Sequence, residues 1–209
     1  MWVTEWLEEH VKPLIAKIPP GMQSSLGGDF ARTGDLSDFY PLVQLQNLKR
    51  RMPLLIELRG MPFDCQRLVL FYLMRHLPGF KHAALDARGL GAQLAEEAAQ
   101  EFGESMVSQV MLSETWYREN MPPYKAAFED CMIEIAQDAD VLNDHRAVKV
   151  IKGVARIPDL RTQDAAKKKR HGDSAIAGAL AWYASRQDGG PVVVSSRRAR
   201  RESINLGGY

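Results

Sequence analysis

The sequence has little cysteine and no long apolar run. Its two cysteines, Cys65 and Cys131, are far apart among 209 residues, which excludes the spacing of a metal-binding or redox motif. We expect both thiols to be reduced and buried. No apolar stretch approaches the ~20 residues that cross a bilayer. The first residues mix acids with apolar side chains, unlike a signal peptide. These absences predict a globular cytosolic protein.

Two kinds of ligand-binding motif are also missing. There is no Gly-x-x-x-x-Gly-Lys-Ser/Thr segment, so a nucleotide-binding P-loop is excluded. His10, His82 and His145 do not have the spacing of zinc ligands, and we expect no zinc site. Apolar residues make up 45% and charged residues 25%, which is the composition of an ordinary globular domain.

The net charge is only +1, with 27 basic and 26 acidic residues, but the basic residues are clustered. One cluster is the run Lys167–Arg170, and the other consists of four arginines near the C-terminus: Arg197, Arg198, Arg200 and Arg201. Such clusters in a near-neutral chain predict a polyanionic partner. A solvated loop and a free tail are the alternative interpretation of the two clusters.

Short runs of strand-forming residues alternate with amphipathic segments, which predicts an α/β fold. We expect strands over residues 22–29, 39–48, 52–58, 82–86 and 106–112. The first three should form an antiparallel meander, and the last two should be parallel because helices connect them. We expect helices over residues 2–18 (with Thr4 as N-cap and a kink at Pro13), 64–76 (with Asp64 as N-cap), 90–102 and 172–186.

The stretch between the fifth strand and the last helix gives weaker signals. A helix that starts near Glu114 should be interrupted at Pro122 and Pro123, since proline lacks a backbone donor. Residues 137–144 are predicted to form a polar loop, residues 148–157 an edge strand, and residues 158–170 a second loop.

Three acids occupy comparable positions in this pattern. Asp29 and Asp86 end predicted strands, and Asp173 precedes Ile176 by three residues on the inward stripe of the last helix. Burying an unpaired carboxylate costs several kcal/mol, whereas hard divalent cations take carboxylate oxygens as ligands. Each acid has a simpler interpretation, because Asp29 and Asp86 can be turn residues and Asp173 can be an N-cap. Taken together, they predict a site in which two cations ~3.5–4 Å apart hold a phosphodiester.

Three motifs containing these acids point to one family. They are Gly-Asp-Phe-Ala-Arg-Thr-Gly-Asp from Gly28, Leu-Asp-Ala-Arg-Gly-Leu-Gly from Leu85, and Arg-His-Gly-Asp-Ser-Ala-Ile-Ala from Arg170. The motifs resemble the C-terminal nuclease domain of the large terminase subunit of tailed phages, in its Mu-like branch. The resemblance covers roughly residues 22–187, and the motif around Asp173 is the most specific of the three.

This resemblance implies an RNase H-like mixed sheet flanked by helices, and an endonuclease that cleaves double-stranded DNA during viral genome packaging. It implies magnesium or manganese as the cofactor, with two ions. Asp29, Asp86 and Asp173 would be the catalytic residues and metal ligands, and Asp35 an auxiliary ligand. Lys167, Lys168, Lys169 and Arg170 are expected to contact DNA phosphates, which gives salt-sensitive binding without sequence preference.

The resemblance also implies partners and a domain arrangement. The partners would be double-stranded DNA, an ATPase motor domain of the same protein, the portal protein and the small terminase subunit, with no membrane, in the cytoplasm of the bacterial host. Residues 1–21 would be a helical linker from a missing motor, residues 22–188 the nuclease domain and residues 189–209 a basic flexible tail.

Three alternatives stay open at this point. A junction-resolving nuclease of similar fold would also use clustered acids, and a packaging scaffold would bind DNA or portal without catalysis. An actin-like nucleotide-binding domain shares the core of the fold. The absence of paired Gly-rich phosphate loops disfavours this third alternative.

Overall fold

A seven-stranded mixed sheet forms the centre of the computed structural model, which describes residues 2–31, 36–89, 91–158, 162–163, 169–170 and 172–188. The strands are β1 Gln23–Asp29, β2 Leu36–Gln44, β3 Arg50–Arg51, β4 Ile56–Arg59, β5 Phe80–Asp86, β6 Val107–Val110 and β7 Ile133–Glu134. Their order is β6-β5-β1-β2-β3-β7, and β4 also pairs with β2.

The direction of the strands agrees with the predicted topology. β1 and β2 are antiparallel, and β2 is antiparallel to both β3 and β4. β6 runs parallel to β5, because a helix connects these two strands. β5 also runs parallel to β1, from which β2, β3, β4 and a helix separate it along the chain. The predicted α/β class with a mixed sheet is confirmed. The predicted strand over 52–58 is present only in part, as β4, whereas β3 lies before it at Arg50–Arg51. Residues 52–55 form no strand, and Pro53 among them cannot donate a backbone hydrogen bond.

Helices cover both faces of the sheet. They are α1 Trp2–Trp6, α2 Lys12–Ile15, α3 Phe63–His76, α4 Gly91–Phe102, α5 Glu114–Glu129, α6 Ala139–Ala147 and α7 Asp173–Ala184. Two small hairpins lie outside the main sheet. They pair β8 Lys149–Ile151 with β9 Val154–Arg156, and β10 Thr162–Gln163 with β11 Lys169–Arg170. The edge strand predicted over 148–157 is therefore a separate hairpin.

The N-terminal helix contains a π-helical turn, Leu7–Val11, between α1 and α2. Its buried residues recur at every fourth position: Val3, Leu7, Val11 and Ile15. Because a wide turn holds more than 3.6 residues, Ile15 faces the core in place of Leu14, which is 40% exposed. At Lys12, next to Pro13, the helix changes from π-helical to α-helical without an interruption, so the kink at Pro13 stays a prediction. Thr4 lies inside α1, so its prediction as N-cap is wrong.

Two predictions about α5 and α6 are wrong. α5 continues through Pro122 and Pro123, and the carbonyls that lose a donor belong to the exposed residues Arg118 and Glu119, where water can reach them. The predicted loop over 137–144 is largely α6. The side chain of Asp138 accepts hydrogen bonds from two backbone N–H groups at its start.

Two smaller predictions also fail. Pro62 is the N-cap of α3, so Asp64 lies in the first turn and does not cap the helix. Both cysteines are free, but Cys131 is exposed at a turn with φ 53°, and Cys65 is partly buried. Within the described residues, no helix is both long enough and apolar enough to cross a membrane.

α7 packs directly on β1, and this contact fixes the distance between them. A Cβ atom at Gly27 would overlap the carbonyl oxygen of Ala177 and the backbone nitrogen of Ala181. The hydroxyl of Ser25 donates to the Ala181 carbonyl at 3.4 Å. Small residues on both elements therefore let the helix approach the strand backbone.

We expect Gly27→Ala to destabilise the fold by about 1–3 kcal/mol, because overpacking forces backbone shifts. Urea denaturation measures the change. Gln100→Ala, at an exposed position of α4, is the control and should stay within about 0.5 kcal/mol of wild type. Equal stability of the Gly27 variant and wild type would contradict the close contact between β1 and α7.

Candidate active site

The strand register brings acidic residues together at one end of the sheet. Asp29 lies directly opposite Asp38 on β2. On the other side, Gly28 is level with Leu85, so the next residues along the parallel strands are Asp29 and Asp86. Side chains alternate between the two faces of a strand, and Gly27 lies against α7. Asp29 therefore points to the face that α7 covers.

The start of α7 brings Asp173 to the same place. Gly172 is the N-cap, in the left-handed conformation with φ 74°, and Asp173 is the first buried residue of the helix after it. The interpretation of Asp173 as the N-cap is therefore wrong. Asp144 of α6 supports this helix end, since its Oδ2 accepts hydrogen bonds from Ser174 Oγ at 2.7 Å and from Ser174 N at 3.4 Å.

Asp29 and Asp173 line a cavity of about 290 Å³. Its wall also contains acidic, basic and aromatic side chains: Arg88, Glu114, Tyr117 and Arg156. Asp86 is near enough for its charge to act on Asp29. The three acids are thus neighbours in the fold, although their roles as metal ligands and catalytic residues stay predictions.

The carboxyl group of Asp29 is electrostatically unfavourable in this position. Burial raises the pKa of Asp29 well above its usual range. The charges of Asp173 and then Asp86 raise it further, and the charge of Arg88 opposes the rise. By accessible area Asp29 keeps some contact with solvent, which moderates the cost of ionisation. A positive charge in the cavity would relieve the repulsion.

Asp86 already has a positively charged partner. Arg88 Nε donates to Asp86 Oδ1 at 3.0 Å and Oδ2 at 3.2 Å, and Arg88 Nη2 donates to Oδ2 at 2.9 Å. The backbone N–H of Arg88 donates to Oδ1 at 3.0 Å. Tyr117 lies beside these groups, and burial raises its pKa to about 12. Its hydroxyl therefore stays protonated at neutral pH and can donate a hydrogen bond.

Sequence reasoning did not identify a second group of acids near this site. Oxygen atoms of Asp38, Glu57 and Asp144 lie within 4.8 Å of one another. Asp38 and Asp144 are fully buried, whereas Glu57 is exposed. Asp38 faces Asp29 across β1 and β2. The predicted antiparallel pairing did not fix this register, since the predicted second strand began after Asp38, and Asp144 was assigned to a predicted loop.

Other predicted site residues lie wholly or partly beyond what the structure describes. Asp35, Lys167 and Lys168 lie outside the described residues. Lys169 and Arg170 form β11, paired with β10, and only their backbone placement is described. The predicted loop at this position is therefore partly a hairpin, and the DNA contacts of the basic run stay a prediction.

Two curated relatives resemble this chain along nearly its whole length. The chain is 40% identical over 188 residues to the "Probable terminase, large subunit gp28" of Escherichia phage Mu, which covers 90% of the chain and 34% of the relative. It is 37% identical over 189 residues to the "Mu-like prophage FluMu protein gp28" of Haemophilus influenzae, covering 90% and 37%. The chain thus spans about a third of the length of these relatives. No protein-family model matches it.

Solved structures with the same fold are nuclease domains of large terminases. The nuclease of thermophilic phage G20c with bound zinc has a TM-score of 0.59 at 18% identity, covering 79% of this chain and 82% of that one. The same nuclease with bound magnesium has a TM-score of 0.58 at 19% identity, with the same coverage. The RNase H-like fold and the resemblance to Mu-like large terminases are confirmed.

We expect Asp29→Asn to stabilise the metal-free protein at neutral pH. Below pH ~4 the carboxyl is protonated in both the folded and the unfolded chain. As the pH rises, the unfolded chain loses this proton first because the folded pKa is raised, so wild type loses stability. The variant cannot lose stability in this way. Its melting temperature should match wild type near pH 4 and exceed it by several degrees at pH 7.

Asp64→Asn is the matched control, since the Asp64 side chain is 92% exposed. Thermal melts in a chelator across this pH range should show no growing difference for the control. If the melting temperature of Asp29→Asn differed from wild type no more than that of the control at every pH, the repulsion inferred among the three acids would be contradicted.

Proposed function

Because this chain resembles the nuclease domain of Mu-like large terminase subunits, we propose that it is a metal-dependent endonuclease that cleaves double-stranded DNA during viral genome packaging. The proximity of Asp29, Asp86 and Asp173 gives this proposal its strongest support, since burial and then the charges of Asp173 and Asp86 raise the pKa of Asp29. Holding carboxylates close together in a fold costs free energy unless another interaction compensates their charges.

The residues present suit a hard divalent cation. The three proposed ligands offer only carboxylate oxygens, which magnesium and manganese prefer, and we propose two such ions, with Asp35 as an auxiliary ligand. Bound cations would supply positive charge to the phosphodiester and acidify a water molecule for attack. The chemistry requires no nucleophile from the protein, and the described wall of the cavity carries no cysteine or serine.

The protein's own groups have separable tasks in this proposal. β1, β5 and α7 hold the three carboxylates in fixed positions, so little reorganisation accompanies binding. The protonated hydroxyl of Tyr117 can donate to a phosphate oxygen. Arg156, whose Nε is buried without a hydrogen-bond partner among the described residues, adds positive charge where the DNA backbone would enter.

The remaining predictions concern the larger assembly. We propose that Lys167, Lys168, Lys169 and Arg170 bind DNA phosphates beside the site. Residues 1–21 would connect to an ATPase motor of the same protein, residues 22–188 would be the nuclease unit, and residues 189–209 would be a basic tail. The portal protein and the small terminase subunit are the proposed partners, in the cytoplasm of the bacterial host.

We expect Asp173→Asn to abolish plasmid cleavage in manganese. The substitution removes one proposed ligand charge and nearly keeps the side-chain shape. Without metal, the variant should melt no lower than wild type, because one repelling charge is gone. The rise in melting temperature on adding manganese should shrink, since ligands stabilise the native state by mass action. Asp64→Asn should cut and melt like wild type.

Two results would decide against this function. Wild type that cuts neither supercoiled nor linear DNA and shows no metal-dependent melting shift would favour a non-catalytic scaffold. Preferential cutting of branched over linear duplexes would favour a junction-resolving nuclease. Both assays use the same preparations as the Asp173 experiment.

We expect replacement of the basic run by alanine to weaken DNA binding and reduce its salt dependence. Each lost phosphate contact lowers the slope of log K against log salt by ~0.9, so four contacts would remove about 3–4. Fluorescence anisotropy with a random duplex measures the slope in a chelator. The substituted residues are Lys167, Lys168, Lys169 and Arg170.

The control replaces four exposed basic residues that each pair with a glutamate: Lys12, Arg75, Arg118 and Lys125. It removes the same number of positive charges far along the chain from the basic run. An equal reduction of the slope in both variants would show a general effect of charge. An unchanged slope in the first variant would show that Lys167, Lys168, Lys169 and Arg170 are solvated and do not contact DNA.

A further inference from the structure

Arg88 occupies the two oxygens through which Asp86 would bind a cation. Its guanidinium makes three hydrogen bonds to this carboxylate, with lengths of 2.9–3.2 Å. A carboxylate has two oxygens and about four lone-pair sites. The backbone N–H of Arg88 uses one of these lone-pair sites, so the guanidinium engages most of the remaining lone-pair sites. A cation and the guanidinium therefore compete for Asp86, and their positive charges repel each other.

The two partners differ in their freedom to move. The Asp86 side chain is 8% exposed and ends a central strand of the sheet, whereas the Arg88 side chain is 46% exposed. Arg88 lies on the short connection between β5 and α4, just before Gly89, whose φ is 50°. When a cation takes Asp86, the guanidinium can leave without disturbing the core.

Arg88 lines the cavity together with Asp29 and Tyr117, so a guanidinium released from Asp86 has room for a new partner there. Its planar array of donors matches the oxygens of a phosphate in a bidentate manner. We propose that Arg88 exchanges partners, holding Asp86 in the free protein and binding a DNA backbone phosphate once cations occupy the acids. This inference rests on the proposed nuclease function, and it makes cation and DNA binding mutually reinforcing.

Arg88→Ala separates the two roles. Without DNA, the variant should bind manganese more tightly than wild type, by about tenfold, because the competitor is absent. With calcium, a hard cation that takes similar oxygen ligands, the variant should bind a short duplex more weakly than wild type. In a chelator, both proteins should bind this duplex equally. Calorimetry measures the manganese affinity and anisotropy the duplex affinity.

Two further variants keep the test decisive. Arg88→Lys keeps the charge but not the bidentate geometry, and should fall between wild type and the alanine variant. Arg75→Ala removes an exposed arginine that pairs with Glu101, and should match wild type in both assays. If Arg88→Ala melts more than a few degrees below wild type, Arg88→Gln replaces it, since glutamine can still donate to Asp86.

Each outcome identifies the hypothesis that fails. Manganese affinity that is unchanged or lower in both uncharged Arg88 variants would overturn the exchange and leave Arg88 as a structural partner of Asp86. Equal duplex affinity in calcium for wild type and Arg88→Ala would also overturn it. If wild type binds manganese no better than Asp173→Asn does, the proposed nuclease function fails together with this inference.

Discussion

The close contact between α7 and β1 is the constraint on which the site depends. Because Gly27 has no side chain, the backbone of α7 lies against the strand at Ala177 and Ala181. Asp173 stands at the start of this helix and Asp29 at the end of this strand, so the same contact sets their separation. The core thereby holds two acidic groups near each other that electrostatics alone would drive apart.

Two interactions stabilise this arrangement in the folded state. Asp144 accepts hydrogen bonds from Ser174 and fixes the first turn of α7, where Gly172 offers no side chain for capping. Arg88 neutralises Asp86 at the end of β5. Among the described residues of the site, Asp29 is poorly compensated, since burial and the neighbouring acids raise its pKa. A protein that binds cations at this place would gain stability from them by mass action.

Much of the fold was predictable from the sequence because local patterns and long-range packing agreed. β1, β5 and α7 follow the apolar runs around Leu26, Leu85 and Leu180, all of which are fully buried. Predictions failed where tertiary contacts outweighed a local signal. α5 continues through two prolines because Met121 and Tyr124 are buried on either side of them, and tertiary burial stabilises a helix more than propensity does.

The sequence by itself determined the α/β class, the order of the main elements and the three motifs that contain Asp29, Asp86 and Asp173. These features depend on residue type and short-range spacing, which the chain carries directly. Tertiary structure alone decided that Asp38 faces Asp29, that Asp144 supports α7 and that Arg88 engages Asp86 through its guanidinium. Register, helix approach and rotamer arise from packing among distant segments, and no local pattern specifies them.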